Sequence, residues 1–155
     1  LQLVRARGAR EVIAIDIDPE RLEIAGRIGE ITTLNSAMEE DLADLEKHPL
    51  DVSVDCSGVA AGLQTALDHT HGPVVIFGVV HGEANYGMRH WRQRTYIVQR
   101  RRPDANDTKF IQRLWREGKL DTELLISDRM PFAGYVEGIK LLISRKAVKI
   151  FFYPQ

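Results

Sequence analysis

The sequence contains a single cysteine, Cys56, in 155 residues. One cysteine excludes an internal disulfide and is typical of a protein in a reducing compartment. No apolar run reaches the roughly 20 residues of a membrane-spanning helix, and no signal peptide opens the chain. The net charge of −1 gives no reason to expect nucleic acid or an anionic membrane as a partner. We therefore expect a soluble, cytoplasmic protein that binds neither.

The chain also lacks a self-sufficient catalytic or metal site. Only His69 and His71 lie close together among the histidines, and no cysteine or carboxylate stands at metal-ligand spacing, so a solvated turn is favoured. Cys56 ends a strand of the buried type and is interpreted as a small core residue rather than a nucleophile. Ser57 lacks the Gly-x-Ser-x-Gly elbow of a hydrolase.

Arginines are concentrated in one part of the chain. Such a cluster is compatible with a surface that binds phosphate or RNA. Only Trp91 and Tyr96 are placed to stack on bases, however, so no nucleic-acid partner is predicted. The cluster consists of Arg89, Arg92, Arg94, Arg100, Arg101 and Arg102.

Residues 12–21, Val-Ile-Ala-Ile-Asp-Ile-Asp-Pro-Glu-Arg, are the most informative stretch. The apolar run of residues 12–15 is typical of a strand covered on both faces, and it ends at Asp16. Asp18 is placed to cap a helix whose first turn contains Pro19. A carboxylate at the tip of such a strand can bind both hydroxyls of an adenosine ribose. A capped turn with two solvated aspartates fits the stretch equally well.

Apolar periodicity predicts alternating helices and strands over residues 1–99. This alternation indicates an α/β fold, a parallel sheet with helices on its faces. The third predicted helix begins at Ser36, with Glu39 completing a capping box. The predicted helices cover residues 1–7, 22–28, 36–47 and 59–69, and the predicted strands cover residues 12–16, 31–34, 50–56, 73–80 and 94–99, with a loop at 82–87.

Residues 100–107 form the one polar break long enough to be a domain boundary. Beyond it the pattern predicts a helix over 108–117 closed by Gly118, a short strand over 124–126 and a terminal strand over 148–153. A further helix over 132–144 has a predicted inner side of Tyr135, Val136, Ile139, Leu142 and Ile143.

None of the twelve glycines forms a Gly-x-Gly, so the fingerprint that binds a dinucleotide phosphate is missing. That loop normally precedes its acidic partner by about 20 residues, and counting back from Asp16 places it upstream of Leu1. Residues 1–7 resemble the end of a helix stopped by Gly8. We therefore expect the sequence to be part of something longer.

Three stretches, residues 6–30, 51–82 and 118–154, resemble the medium-chain dehydrogenase/reductase superfamily, and within it the zinc-type alcohol, polyol and threonine dehydrogenases. The resemblance implies a partial Rossmann fold, a doubly wound parallel sheet lacking its first strand, followed by C-terminal helices and a strand of the catalytic domain. It assigns residues 1–101 to the NAD-binding domain and residues 102–155 to the segment that returns to the catalytic domain.

By this resemblance Asp16 binds the adenosine ribose and favours NAD over NADP, because a carboxylate repels a 2′-phosphate. Ile17 lies against the adenine, and Arg21 approaches the ribose from the following helix. Ser57 and Gly58 line the adenine side of the cleft.

The resemblance assigns the other half of the cofactor to later strands. Gly78 and Val79 lie beneath the nicotinamide ribose, where glycine lets the backbone come close. Ile97 and Val98 bind the carboxamide through their backbone, and Lys149 meets the pyrophosphate.

The family's zinc ligands, proton relay and most of its substrate pocket lie in an N-terminal domain that this sequence does not contain. The first strand of the nucleotide-binding domain, which should pair with residues 12–16 and 51–56, is also absent. We therefore expect two half-sheets with a gap between them.

The implied function is hydride transfer between NAD and a small secondary alcohol of the polyol or cyclitol class, or its ketone. The resemblance implies that the parent enzyme holds zinc with ligands outside this chain. It also implies a homo-oligomer that pairs through the edge strand at 94–99. This chain alone is expected to be inactive. Two alternatives stay open. One is a zinc-free NADPH quinone reductase, against which Asp16 argues, and the other is a non-catalytic nucleotide-binding module.

Overall fold

The computed structural model describes residues 1–99 and 102–154. Helices and strands alternate along most of this length, which confirms the predicted α/β class. The helices are α1 (Gln2–Ala6), α2 (Pro19–Gly26), α3 (Glu39–Lys47), α4 (Ala60–His69), α5 (Met88–Arg92), α6 (Ala105–Arg116) and α7 (Tyr135–Ile143). The strands are β1 (Ile13–Asp16), β2 (Thr32–Asn35), β3 (Ser53–Asp55), β4 (Pro73–Ile76), β5 (Tyr96–Gln99), β6 (Asp128–Pro131) and β7 (Ile150–Tyr153).

The strands of the described residues form three separate sheets. One contains β1 and β2, the second has the order β3-β4-β5, and the third contains β6 and β7. In the second sheet β4 runs parallel to both neighbours, with Val74 opposite Ser53 on one side and Ile97 on the other. β6 and β7 are also parallel. The two strands expected on either side of a gap, β1 and β3, are indeed in different sheets.

The chain divides into two compact units. The first unit combines Leu1–Leu34 with the residues from Ala105 onward, and the second is Asn35–Asp104. The polar break therefore lies at the junction of the two units, although α6 begins inside it, at Ala105. Arg100 and Arg101 of the arginine cluster, and the predicted domain boundary after residue 101, lie outside the described residues. The assignment of the two segments to family domains stays a prediction.

The core of the second unit lies where α4 packs on β4. Leu63 and Leu67, one helical turn apart, face Val74, which is fully buried. Each such side chain contributes about 1.5–3 kcal/mol when removed from water. Buried Thr95, just before β5, donates its hydroxyl to the carbonyl of Thr70 after α4. The apolar periodicity of α4 and β4 was thus a correct guide to this core.

A polar cluster joins α4 to α5. His90 is only 5% exposed, and its Nδ1 accepts the Gly87 N–H at 3.0 Å, so the ring proton is on Nε2. That nitrogen donates to Asp68 Oδ1 at 2.8 Å, and Gln64 Nε2 donates to the same oxygen at 3.1 Å. The ring of Tyr86 stacks on His90 at 5.3 Å. The loop predicted at 82–87 is present, but α5 was missed because its five residues are too few for a helical period.

The predicted capping box at Ser36 is wrong. α3 begins only at Glu39, with Met38 at the N-cap and no side-chain cap. Asn35 prevents the earlier start, because its Oδ1 accepts the N–H of Ala37 at 3.0 Å and forms a turn. An asparagine side chain that bonds to the backbone two residues later competes with a helix in this way.

The predicted buried strand at 50–56 is also corrected. Only Ser53–Asp55 forms β3, and its side chains alternate, with Asp55 buried while Val54 and Cys56 are exposed. α4 covers one face of this strand, and no described residue buries the other. Cys56 is therefore not a core residue.

In the first unit the predicted strand at 124–126 is instead a 3-10 turn, Glu123–Leu125, and the strand β6 follows it. The helix at 132–144 is present as a 3-10 turn, Phe132–Gly134, continued by α7, but its inner side differs from the prediction. Tyr135, Val136 and Ile143 are exposed, whereas Gly138 is buried.

Gly138 faces inward because it lets α7 approach β7. A Cβ at this position would lie 2.5 Å from Phe152 Cζ and 3.0 Å from Met130 Sδ. The apolar residues of α7 could not reveal this contact, since it depends on a residue without a side chain. No helix in the described residues is both long enough and apolar enough to cross a membrane.

We predict opposite effects for two helical glycine-to-alanine variants. Gly138→Ala pushes a methyl group into Phe152 and Met130 and should lower the free energy of unfolding by about 1–3 kcal/mol. Gly26→Ala in α2 meets no atom within 4 Å and should raise it by up to about 1 kcal/mol. Urea denaturation of both variants tests the packing of α7. Equal changes in the free energy of unfolding of the two variants would contradict the close packing of Gly138 against β7.

We predict that Asp68 makes stability depend on acidity. Partial burial raises the pKa of Asp68, but the hydrogen bonds from His90 and Gln64 and the charge of Arg89 outweigh it, so the pKa lies below its ordinary value of 3.8. A carboxyl with a lowered pKa stabilises the fold above that ordinary value and loses this contribution as the pH falls through the lowered value.

The wild-type chain should therefore lose more thermal stability between about pH 5 and pH 2 than the Asp68→Asn variant does. Asp44→Asn on the exposed surface of α3 serves as the matched control and should follow the wild-type curve. Melting temperatures measured by circular dichroism over this range give the comparison. Parallel curves for wild type and Asp68→Asn would show that the cluster does not titrate as described.

Candidate functional site

Ile97 and Val98 lie within β5, Arg21 in α2 and Lys149 just before β7, whereas the other six residues predicted for the cofactor lie at the carboxyl ends of strands. In open α/β sheets, ligands bind in the crevice beyond these ends. Asp16, Ile17, Arg21 and Lys149 belong to the first unit. Ser57, Gly58, Gly78, Val79, Ile97 and Val98 belong to the second.

In the first unit, Asp16 is the last residue of β1 and is half-buried. Its Oδ1 accepts the N–H of Asp18 at 3.1 Å, and Asp18 Oδ1 in turn accepts the N–H of Glu20 at 3.0 Å. The predicted cap of α2 is thus confirmed, with Pro19 in its first turn. These bonds hold the Asp16 carboxylate at the tip of the strand. Ile17 beside it is 59% exposed.

Arg21 lies one turn into α2, with its Nε 3.5 Å from Asp18 Oδ2. It lines a small cleft of about 140 Å³ together with Ser127 and residues 145–148. Lys149 follows this stretch and is exposed, and its carbonyl accepts the Ser127 N–H at 2.8 Å. The cleft is of mixed charge, since the acidic Asp18 and Glu20 line it together with Arg21, Arg145 and Lys146.

In the second unit, the ends of β3 and β4 come into close contact. Gly58 has φ of +72°, a conformation that favours glycine. A Cβ on Gly78 would lie 2.8 Å from Gly58 N, and a Cβ on Gly58 would lie 3.2 Å from the Val79 carbonyl oxygen. Val79 itself is exposed. The two glycines therefore let the backbone segments that follow β3 and β4 pack directly against each other, and we call this pair of segments the glycine cradle.

Asp55 lies beneath this cradle and was missed as a site residue. It is 5% exposed, and its Oδ1 accepts both the N–H of Ser57 at 3.1 Å and its hydroxyl at 2.6 Å. Its main-chain carbonyl accepts the N–H groups of Phe77 at 2.8 Å and Gly78 at 3.1 Å. The signal in the sequence was a carboxylate inside an apolar run, with a serine two residues later.

The third strand of this unit carries Ile97 and Val98. They pair with Val74 and Val75 of β4, and β5 is the outer strand of the described sheet. Ile97 is exposed and Val98 half-buried, so this edge presents both backbone and apolar groups to a ligand or a partner.

The remaining candidates carry no catalytic chemistry. Partial burial and the charge of the neighbouring Asp55 raise the pKa of the Cys56 thiol, so at neutral pH it is a weak nucleophile. His69 and His71 line a cavity of about 300 Å³ with Asp68, Arg89 and Gln93. Across residues 1–99 and 102–154, no group of three or more His, Cys, Asp or Glu side chains could hold a metal ion. The described residues therefore do not fit zinc.

The same residues do fit a dinucleotide. Ser57 and Val79 are exposed beside the closely packed glycine cradle, and buried Asp55 Oδ2 has no hydrogen-bond partner within the described residues. An orphaned buried polar atom is uncommon in folded proteins and is found at functional sites. In the first unit, considered by itself, the Asp16 carboxylate is an acceptor suited to sugar hydroxyls.

Comparisons with known proteins identify the family of the chain. Residues 1–114 match the family model described as zinc-binding dehydrogenase. The chain is 33% identical over 103 residues to the zinc-type alcohol dehydrogenase-like protein YphC of Escherichia coli, covering 61% of this chain and 29% of that protein. It is 27% identical over 139 residues to L-idonate 5-dehydrogenase of Vitis vinifera, covering 83% and 38%.

Among solved structures, 2R,3R-butanediol dehydrogenase from Bacillus subtilis superposes with a TM-score of 0.84 at 22% identity, covering 99% of this chain and 46% of that one. This likeness concerns the fold. The chain thus spans less than half the length of each of these three proteins. From the matched residues and the shared fold we conclude that the chain belongs to the zinc-binding dehydrogenase family, within the medium-chain dehydrogenases that its sequence resembles.

Proposed function

We propose that the chain forms the NAD-binding part of a medium-chain oxidoreductase that interconverts a small secondary alcohol, of the polyol or cyclitol class, and its ketone. The observation that carries the proposal is the Asp16 carboxylate, held at the tip of β1 by the N–H of Asp18. A carboxylate in that position accepts hydrogen bonds from both hydroxyls of an adenosine ribose.

The same carboxylate sets the choice of cofactor. NADP carries a phosphate on the 2′-oxygen of this ribose, and a fixed negative charge beside it would repel that group. Arg21 does not relieve the repulsion, because its guanidinium lies beside Asp18. We therefore infer a preference for NAD, which disfavours the quinone reductase alternative.

The other predicted residues take roles around the rest of the cofactor. Ser57 and Gly58 would line the adenine side, and Gly78 and Val79 would lie beneath the nicotinamide ribose in the glycine cradle. The backbone of Ile97 and Val98 would meet the carboxamide at the exposed edge of β5. Ile17 would cover the adenine, for which its 59% exposure leaves room. Lys149 would meet the pyrophosphate.

When bound, NAD supplies the acceptor for a hydride. This chain's own contribution is to bind and orient it, since the described residues offer no metal site. The names of two relatives support a polyol substrate, because L-idonate and 2R,3R-butanediol are both alcohols with hydroxyls on neighbouring carbons.

We further propose that the parent enzyme works in the cytoplasm as a homo-oligomer paired through β5, with zinc held by residues outside this chain. The single cysteine supports a reducing compartment, and an outer strand with exposed Tyr96 and Ile97 is a suitable pairing surface.

The assignment of Asp16 predicts that Asp16→Ala weakens NAD binding at least tenfold, about 1.4 kcal/mol, and narrows the preference for NAD over NADP. Isothermal titration calorimetry with both nucleotides measures the two effects. Asp44→Ala on the exposed surface of α3 is the matched control, because it removes a carboxylate to which the proposal gives no role in binding. Unchanged NAD affinity in Asp16→Ala would remove this residue from the site.

We predict that the chain by itself binds NAD without turning it over. Spectrophotometric assay of NADH formation with sorbitol or 2,3-butanediol should give no rate above the enzyme-free control. Steady NADH production by the purified chain would show that it contains a complete catalytic site.

A further inference from the structure

Asp55 has contacts that extend in two directions from the end of β3. Its side-chain Oδ1 binds the N–H and the hydroxyl of Ser57, and its main-chain carbonyl binds the N–H groups of Phe77 and Gly78. One residue therefore restrains both segments that form the glycine cradle. Gly62 of α4 makes room for this arrangement, since a Cβ there would lie 2.3 Å from Ser57 Oγ.

Selection for stability alone would not favour the Asp55 side chain at this position. The Asp55 side chain is almost fully buried, and its Oδ2 has no hydrogen-bond partner among the described residues. A buried carboxylate oxygen without a partner destabilises a fold, whereas an apolar side chain of similar shape at that position would not. Ser57 is exposed, so its N–H and hydroxyl could bind water instead of Asp55. The carboxylate therefore leaves one buried oxygen unpaired, and Ser57 does not depend on it to satisfy its own donors.

The carboxylate does determine the conformation of the turn after β3. With Oδ1 fixed, Ser57 is held next to the strand, and Gly58 follows with its positive φ and its amide against Gly78. Without Oδ1, the main-chain bonds from Phe77 and Gly78 would still join the strands, but the Ser57–Gly58 turn would be free to change conformation. Residues that break local rules at a stability cost are typical of functional sites.

We propose that Asp55 is a positioning residue of the nucleotide site, which fixes the Ser57–Gly58 turn against Gly78 so that the cradle is formed before the cofactor arrives. This inference rests on the proposed function. Preorganisation of this kind raises affinity because the loop does not lose freedom on binding.

The test compares Asp55→Leu, which removes both acceptors but keeps the shape, with Asp55→Asn, which keeps one oxygen for Ser57. Asp44→Leu on exposed α3 is the matched control. NAD affinity is measured by calorimetry, stability by thermal denaturation, and the turn itself by amide hydrogen exchange at Ser57. In Asp55→Leu we expect at least tenfold weaker NAD binding, a melting temperature no lower than wild type, and at least tenfold faster exchange at Ser57.

Asp55→Asn should restore affinity to within about threefold of wild type and keep the Ser57 amide protected, because an amide oxygen accepts the same bonds. Wild-type affinity in Asp55→Leu overturns the proposal. So does a loss of affinity that comes with a lower melting temperature in both variants, since that pattern reports a purely structural role.

The proposed function fails separately if the wild-type chain binds neither NAD nor NADP. In that case no nucleotide affinity can be compared between the variants, and the rate of amide exchange at Ser57 decides whether Asp55 holds the turn. Unchanged exchange in Asp55→Leu overturns the positioning role itself.

Discussion

A close approach of two backbone segments at the ends of β3 and β4 is the constraint on which the second unit depends. No side chain fits at Gly78, where a Cβ would lie 2.8 Å from Gly58 N, and Gly58 adopts a positive φ that other residues rarely take. The two parallel strands deliver these glycines to the same edge. The result is a tight junction between the two strand ends, beside which Ser57 and Val79 are exposed.

In the first unit a hydrogen-bonded turn fixes the Asp16 carboxylate. The turn after β1 is built from two aspartates that each accept a backbone N–H two residues later. The two alternatives for this stretch, a capped turn and a ribose site, are therefore compatible. The cap is present, and it is the means by which the Asp16 carboxylate is held at the strand tip. Each unit thus has a carboxylate at the end of a strand, half-buried Asp16 in the first and buried Asp55 in the second.

Residues whose local signal was strong behaved as predicted. The helix predicted over 59–69 and the strand predicted from residue 73 are present as α4 and β4, and Leu63, Leu67 and Val74 of these elements form the core. The capping pattern at Asp18 and Pro19 was equally reliable, because a cap depends on neighbours in the chain. Prediction failed where a neighbouring side chain competed with the start of a helix, or where a contact with a residue distant in the chain determined which face was buried. Asn35 displaced the start of α3, and the inner face of α7 was set by Gly138 against Phe152.

The sequence by itself determined the α/β class, the strand–turn–helix around Asp16 and the family to which the chain belongs, because these depend on periodicity, capping and short motifs that lie along the chain. Tertiary structure alone decided that Asp55 is buried under the glycines and that Cys56, its neighbour, is exposed. Adjacent side chains on a strand point to opposite faces, and which face is covered depends on α4, packed from elsewhere in the chain. No local pattern carries that information.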